Sequence, residues 1–412
     1  MRLPAVVVCF VACCFILLES RLLLSTYSHV PRKNLSFRDE GELPLKDSLR
    51  DCPNRKKYLV LNADNGRFSN HVIYLWKNGI LASLLNRTFV LAPLNTTLQS
   101  LTGKNIAKQI LFRSPTEYYE MSSFEKCNPC AITYEQYLRE TQHDDHPAES
   151  VLVCPDTDCW FKDQRFLDML RFPITGTLKN FSFPHIFDNV QVQSSRTVLF
   201  STRAVRQTWG NFYSKQKHLV PELCQSYGWW KPVRKLLDIA DAFLHQNILE
   251  PFLAVHWRMG DFVGVAEYKG FASVDLFMTM ISSHLRANNL TSLYLATDAN
   301  STEVELVVAT LSSLSYQIYT NKPILLLLQQ DKKYWKDNPH IPPFVRDEKD
   351  LIVIEKEVCA RAAVFKGSQF STFSRHIQLM RGDRNSSHPH DGFWHQQHRS
   401  VSPKKSTSIV IG

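Results

Sequence analysis

Three short segments of this sequence combine residue types that can hold an anion. In Asn65-Gly-Arg-Phe-Ser-Asn70, a glycine permits a tight turn and Arg67 offers a planar fork of donors suited to phosphate. A helix start just behind such a loop adds N–H groups with partial positive charge. The same composition also suits an ordinary turn with a surface arginine. The second segment, His256-Trp-Arg-Met-Gly-Asp-Phe262, directly follows an apolar run. Strand alternation puts His256 and Arg258 on one face and Trp257 on the other, so two cation-capable side chains meet where the strand leaves its sheet. The competing reading is a capping histidine and a brace between Arg258 and Asp261. In Gly367-Ser-Gln-Phe-Ser-Thr-Phe-Ser374, the hydroxyls of Ser371 and Thr372 cap a helix or donate to phosphate oxygens.

Each segment needs a strand before it and a helix after it. Lys57-Tyr-Leu-Val-Leu-Asn62 reads as a buried strand. Val72, Trp76, Ile80 and Leu84, with Ile73 and Leu81 beside them, mark an amphipathic helix, and Thr88-Phe-Val-Leu-Ala-Pro93 is the next strand. Strand, helix, strand is a βαβ unit, which predicts a parallel sheet. From about residue 245 the alternation returns. Strands are expected at 252–256, 292–297, 323–328 and 363–366, and helices at 274–287, 302–314, 350–362 and 372–381. Residues 100–240 give one clear strand, 197–201, and read as the rest of the first domain with an insertion. The resulting division is a leader over 1–25, a stem over 26–55, an N-terminal Rossmann-like domain over 56–243, a C-terminal one over 244–385, and a tail over 386–412. Ligands of such sheets bind outside the carboxyl ends of the strands, where all three segments lie.

Together the segments resemble the GDP-fucose protein O-fucosyltransferase family. His256-x-Arg258-x-Gly260-Asp261-Phe262 is similar to its H-x-R-x-G-D motif, and Gly66-Arg67-Phe68-x-Asn70 to its G-R-F-x-N loop. Ile354-Glu-Lys-Glu-Val-Cys-Ala-Arg-Ala362, then Phe365-x-Gly367 and Ser371-Thr372-Phe373, is similar to its C-terminal helix, strand and S-[ST]-F. The resemblance implies an α/β, GT-B-like fold: two Rossmann-like doubly wound domains with the active site in the cleft between them. It implies inverting, metal-independent transfer of fucose from GDP-fucose to Ser or Thr hydroxyls, with no cofactor. The implied acceptor is a folded glycoprotein domain, EGF-like or thrombospondin-type. On matching positions, Arg258 would stabilise the departing GDP and His256 would sit beside the nucleotide. Ser371, Thr372 and Phe373 would hold phosphate and base. Gly66, Arg67, Phe68 and Asn70 carry over as donor-binding residues, with Arg67 and Asn70 facing diphosphate and acceptor. Asp298 is a further nucleotide contact. Charge logic agrees: without a metal, arginine and helix N–H groups must stabilise the negative charge on leaving GDP. A glycan-directed fucosyltransferase and a non-catalytic lumenal binding protein on the same fold are the alternatives. Ser69 and His71 stand where the family often has Gly and Gln. No catalytic base is evident, since Asp64 reads as a surface turn residue.

Composition bounds the rest. With 44% hydrophobic and 21% charged residues the chain is globular, and no repeat points to a solenoid. A net charge of +9 spread over 412 residues suits an anionic ligand and is too diffuse for nucleic acid. Met1-Arg2 precedes an apolar run from Leu3 to Leu18, which extends to Leu24 across Glu19 and Arg21. It reads as a signal anchor giving a single-pass type II membrane protein of the endoplasmic reticulum or Golgi. The alternative is a cleaved signal and a soluble lumenal protein. The terminal Ser-Ile-Val-Ile-Gly412 carries no KDEL-like signal. Sequons at Asn34, Asn86, Asn95, Asn180, Asn289, Asn300 and Asn385 agree with a lumenal chain, although Asn86 is expected on a buried helix. Of the cysteines outside the leader, Cys127 with Cys130 and Cys154 with Cys159 have zinc-pair spacing, yet an oxidising lumen favours disulfides. With Cys52, Cys224 and Cys359 the count is odd, leaving one thiol free.

Overall fold

The computed structural model describes residues 57–62, 68–100, 110–141, 150–153, 176–178, 189–201, 205, 220–260, 273–330 and 345–394. The leader, the stem, Asp64, Gly66, Arg67, Asp261 and the Cys154/Cys159 pair lie outside the described residues. The first half runs β1 (Tyr58–Asn62), α1 (Phe68–Leu84), β2 (Thr88–Leu91), β3 (Leu94–Ser100), β4 (Ile110–Arg113), α2 (Met121–Glu125) and β5 (Ile132–Thr133). It continues through α3 (Tyr134–Thr141), β6 (Ser150–Val153), β7 (Gly176–Leu178), α4 (Val190–Ser194) and β8 (Thr197–Ser201). A six-stranded sheet in the order β5-β2-β1-β8-β6-β7 is parallel throughout. Its central strands are buried on both faces, as their unbroken apolar runs require.

The second half comprises α5 (Arg234–Asn247), β9 (Phe252–Trp257), α6 (Val274–Ala287), β10 (Ser292–Thr297), α7 (Ser301–Ser313), β11 (Gln317–Tyr319) and α8 (Lys322–Gln330). Then come β12 (Val345–Asp347), α9 (Glu348–Ala360), β13 (Val364–Gly367), α10 (Thr372–Asp383) and β14 (Gly392–Phe393). Its five-stranded sheet, β11-β10-β9-β13-β14, is also parallel. A small antiparallel sheet, β12-β3-β4, takes β12 from the second half and joins it to the first.

Four expectations change. The run at 323–328 is helix α8, and the strand beside β10 is the shorter β11. Its leucines are not branched at Cβ and are good helix formers. Ile324 and Leu328 are buried four residues apart while Leu326 is 57% exposed, which is a helical period. Helix α1 starts at Phe68 rather than Val72, so the first candidate segment ends inside a helix. Residues 386–394 are not tail: β14 pairs with β13, and Trp394 is fully buried against Phe277. Asn86 is exposed just past α1 with φ of 52°, a left-handed helix end that asparagine tolerates.

Cys127 is bonded to Cys224, closing a loop 97 residues apart, and Cys130 is disulfide-bonded too. The zinc-pair reading of Cys127 and Cys130 is thereby overturned. Cys359 is the buried free thiol of the described residues. No helix among the described residues is long and apolar enough to cross a membrane.

Candidate active site

A cleft of about 920 Å³ opens between the first turns of α1 and the carboxyl ends of β9 and β10, with the start of α10 beside them. Strand β9 carries His256 and Trp257 at its end. Trp257 turns into the core beneath α6, stacked on Phe277 at 4.2 Å, while His256 and Arg258 line the cleft. Alternation therefore sorts these side chains as expected. The Arg258 guanidinium is ion-paired with Asp298 at the end of β10; the expected brace to Asp261 lies outside the described residues. The same carboxylate accepts the backbone N–H groups of Met259 at 2.7 Å and Gly260 at 3.1 Å. Any Cβ on Gly260 would collide with it. Asp298 thus folds the 258–260 turn around itself and fixes where Arg258 points.

His256 differs from its expected character. Its Nδ1 is 2.7 Å from the Ser374 hydroxyl and its ring packs 4.4 Å from Phe373. Burial pushes its pKa down to about 3; Arg258 and Lys356 add to that, and Asp298 opposes it. At neutral pH the ring is a neutral hydrogen-bonding group, not a second cation.

The third segment forms a tight joint. Ser371 caps α10, its hydroxyl accepting from the Ser374 N–H at 3.4 Å. Ser368 donates its hydroxyl to the His256 carbonyl at 2.9 Å and accepts the Arg258 N–H at 2.9 Å. Its own N–H donates to the Ser374 hydroxyl at 3.0 Å. Gly367 makes the approach possible, because a Cβ there would stand 2.6 Å from that of Ser374. Ser371, Thr372 and Phe373 all face the cleft, as does Phe370, held at φ of 63°.

Of the remaining predicted residues, Asn70 lines the opposite wall, next to Ser69 and near Tyr74 and Lys77 of α1. Phe68 does not line it. At 2% exposure it is a core residue, 4.9 Å from Tyr118, with the Lys356 ammonium 5.4 Å from its ring. Gly66 and Arg67 lie outside the described residues. Sequence reasoning missed Ser368 and Ser374, although both lie within the third segment, because only the hydroxyls at the helix start were given a role. It also missed Gln225 and Tyr227, Glu355, Arg375 and the Thr320–Lys322 stretch, which complete the lining. For Gln225 and Tyr227 the signal was the adjoining aromatic Tyr227-Gly-Trp-Trp230 cluster, in the segment where no period could be read.

The family model described as GDP-fucose protein O-fucosyltransferase matches residues 58–383. Comparison with curated protein sequences gave no match. Among solved structures, the chain is similar to POFUT1 in complex with GDP-fucose, at 14% identity and a TM-score of 0.57 over 82% of this chain and 97% of that one. It is likewise similar to POFUT1 in complex with GDP, at 15% identity and a TM-score of 0.58 over 82% of this chain and 98% of that one. The architecture is thus α/β and GT-B-like, with two parallel sheets. A family match spanning every strand of the two parallel sheets except β14, and every described wall of the cleft, makes the chain a member of the GDP-fucose protein O-fucosyltransferase family, and so a glycosyltransferase.

Proposed function

We propose that this protein moves fucose from GDP-fucose to a Ser or Thr hydroxyl of a folded glycoprotein domain, with inversion and without a metal. The observation that carries the reading is the pairing of Arg258 with the start of α10 on one side of the cleft, opposite Asn70 on the other. The guanidinium, only 15% exposed and oriented by Asp298, and the helix N–H groups behind Ser371 are preorganised for a diphosphate that gains charge as it leaves. Thr372 and Phe373 add a hydroxyl and an aromatic wall for phosphate and base. POFUT1, whose fold is similar, has been solved with GDP-fucose, which supports the choice of donor. Asn70 on α1 faces the space left for the acceptor, and Arg67 is assigned to the diphosphate from its motif alone. The disulfide between Cys127 and Cys224 and the sequons support a lumenal site of action, with the apolar leader as signal or anchor.

The test is to incubate the purified protein with GDP-fucose and, separately, EGF-like domains, thrombospondin-type domains and free glycans, then weigh the products. A gain of one deoxyhexose on a folded domain is expected. Fucose on free glycans alone would favour the glycan-directed alternative, and GDP binding without any product would favour a binding protein. Turnover should persist in EDTA; complete loss, restored by manganese, would overturn metal independence.

A further inference from the structure

Lys356 sits on α9 with 1% exposure, and among the described residues it has no carboxylate partner. Its Nζ lies 3.0 Å from His376 Nδ1 on α10 and over the rings of Phe68 and Phe373, at 5.4 Å and 5.5 Å. His376 is buried as well, and burial followed by the Lys356 charge keeps its pKa well below the ordinary histidine value. A neutral imidazole therefore accepts from the ammonium.

Among the described residues, the charged and titratable groups around it are engaged elsewhere. On α9, Glu357 binds Arg384, just past α10, through both oxygens, and Glu355 accepts from the Tyr294 hydroxyl at 3.3 Å. Lys349, also on α9, stands 5.5 Å over the Phe68 ring. On the β9 side, His256 is neutral and Arg258 is held by Asp298. Tyr119 and Tyr227 pack on the His376 ring, and burial keeps both phenols protonated. Arg375 of α10 lines the cleft, and α1 contributes the Phe68 ring.

An ammonium buried without a counter-ion is costly, and burial pushes its pKa down to about 7. The cleft is one ring away: Phe373 lines it and also touches His256. The Lys356 charge is felt at His256, which itself faces the cleft. We propose that Lys356 is a buried cation whose missing counter-ion is the diphosphate of a nucleotide in the cleft, so that the site takes up a proton as that anion enters. The inference rests on the donor-site reading above and adds a charge response to it. Lys356 acts through the field it creates, one aromatic ring from the ligand, where the low dielectric makes a charge effective.

Calorimetric titration of GDP into the full chain, in two buffers of different ionisation enthalpy, counts the protons exchanged. At pH 7.5 a lysine titrating near 7 is roughly three-quarters neutral, so uptake of more than about half a proton per GDP is expected. Lys356→Met should weaken GDP binding about tenfold or more and abolish the uptake. Lys356→Arg, whose side chain stays charged, should bind GDP without taking up a proton. A structural brace between Phe68 and Phe373 would move affinity or stability and leave the proton count alone. Wild-type binding of GDP with no proton uptake would overturn the proposal even if neither variant folds. So would Lys356→Met binding with wild-type affinity and uptake. If the wild type fails to bind GDP at all, the donor-site reading itself is lost, a distinguishable result.

Discussion

Arg258 and His256 leave the same strand two residues apart, yet their surroundings give them opposite characters. Arg258 stays partly exposed, ion-paired with Asp298, while burial beside Phe373 and Ser374 holds His256 neutral. Arg258→Ala should therefore lower turnover ~10²–10³-fold with little change in melting temperature. Arg258→Lys should rescue little, since a point charge does not reproduce the planar fork. Normal turnover per folded molecule in Arg258→Ala would reduce the residue to a brace for Asp298. The histidine makes a different prediction. Its pKa is about 3 in the folded protein against 6.5 when unperturbed, so between those values the unfolded chain binds more protons. Stability should be full above about pH 6.5 and fall as the pH drops towards 3. His376, shifted the same way, adds to the effect. Melting curves from pH 7 to pH 4 should show this loss, and His256→Asn should flatten part of it. An identical slope in that variant would remove His256 from the explanation.

At the scale of elements, the proposed donor side of the cleft depends on how closely the start of α10 approaches the ends of β9 and β13. Gly367→Ala tests that joint directly. The added methyl meets Ser374, whose hydroxyl ties Ser368 to His256, and overpacking of this kind costs about 1–3 kcal/mol. A lower melting temperature together with weaker GDP binding is expected; loss of stability with unchanged affinity would mean the joint does not shape the site. The strands and helices that carry this joint were legible in the sequence because β9 and β10 hold continuous apolar runs, β13 opens on Val364-Phe365, and α10 opens on a serine cap. Arg258 and Ser371 were legible for the same reason, as each stands where a regular pattern stops. What misled was the run Ile324-Leu-Leu-Leu-Leu328, since an all-apolar stretch has no period to distinguish helix from strand. Asp298 as a partner of Arg258 was illegible for another reason: it is 40 residues away in sequence and is brought near by the pairing of β9 with β10. Lys356 was hidden between two glutamates, a pattern that reads as a solvated helix face until the fold turns it inward.

For the whole molecule, the chain's return across the second sheet links its C-terminal segment to the proposed donor site. Arg381 on α10, fully buried, donates to the Ala360 and Ala362 carbonyls at 3.0 Å and 2.6 Å, and pairs with Asp391 at 2.8 Å. Asp391 in turn accepts the Phe365 N–H of β13 at 2.8 Å. Three residues on, the Trp394 indole donates to Ser368 at 3.2 Å, and Ser368 holds the backbone on both sides of the His256–Arg258 turn. A segment read from composition as a frayed tail thus braces the loop that presents Arg258. Two truncations separate the readings. A chain ending after residue 395 keeps Asp391, β14 and Trp394, and should melt and turn over like the full chain. A chain ending after residue 390 strands the Arg381 guanidinium in the core without its carboxylate, and breaking a buried pair from one side costs about 3–5 kcal/mol. That shorter chain should melt well below the longer one and lose GDP affinity. Asp391→Asn, which keeps one acceptor and removes the charge, should fall between them. Equal melting temperatures for the two truncations would return residues 391–394 to the status of a dispensable tail.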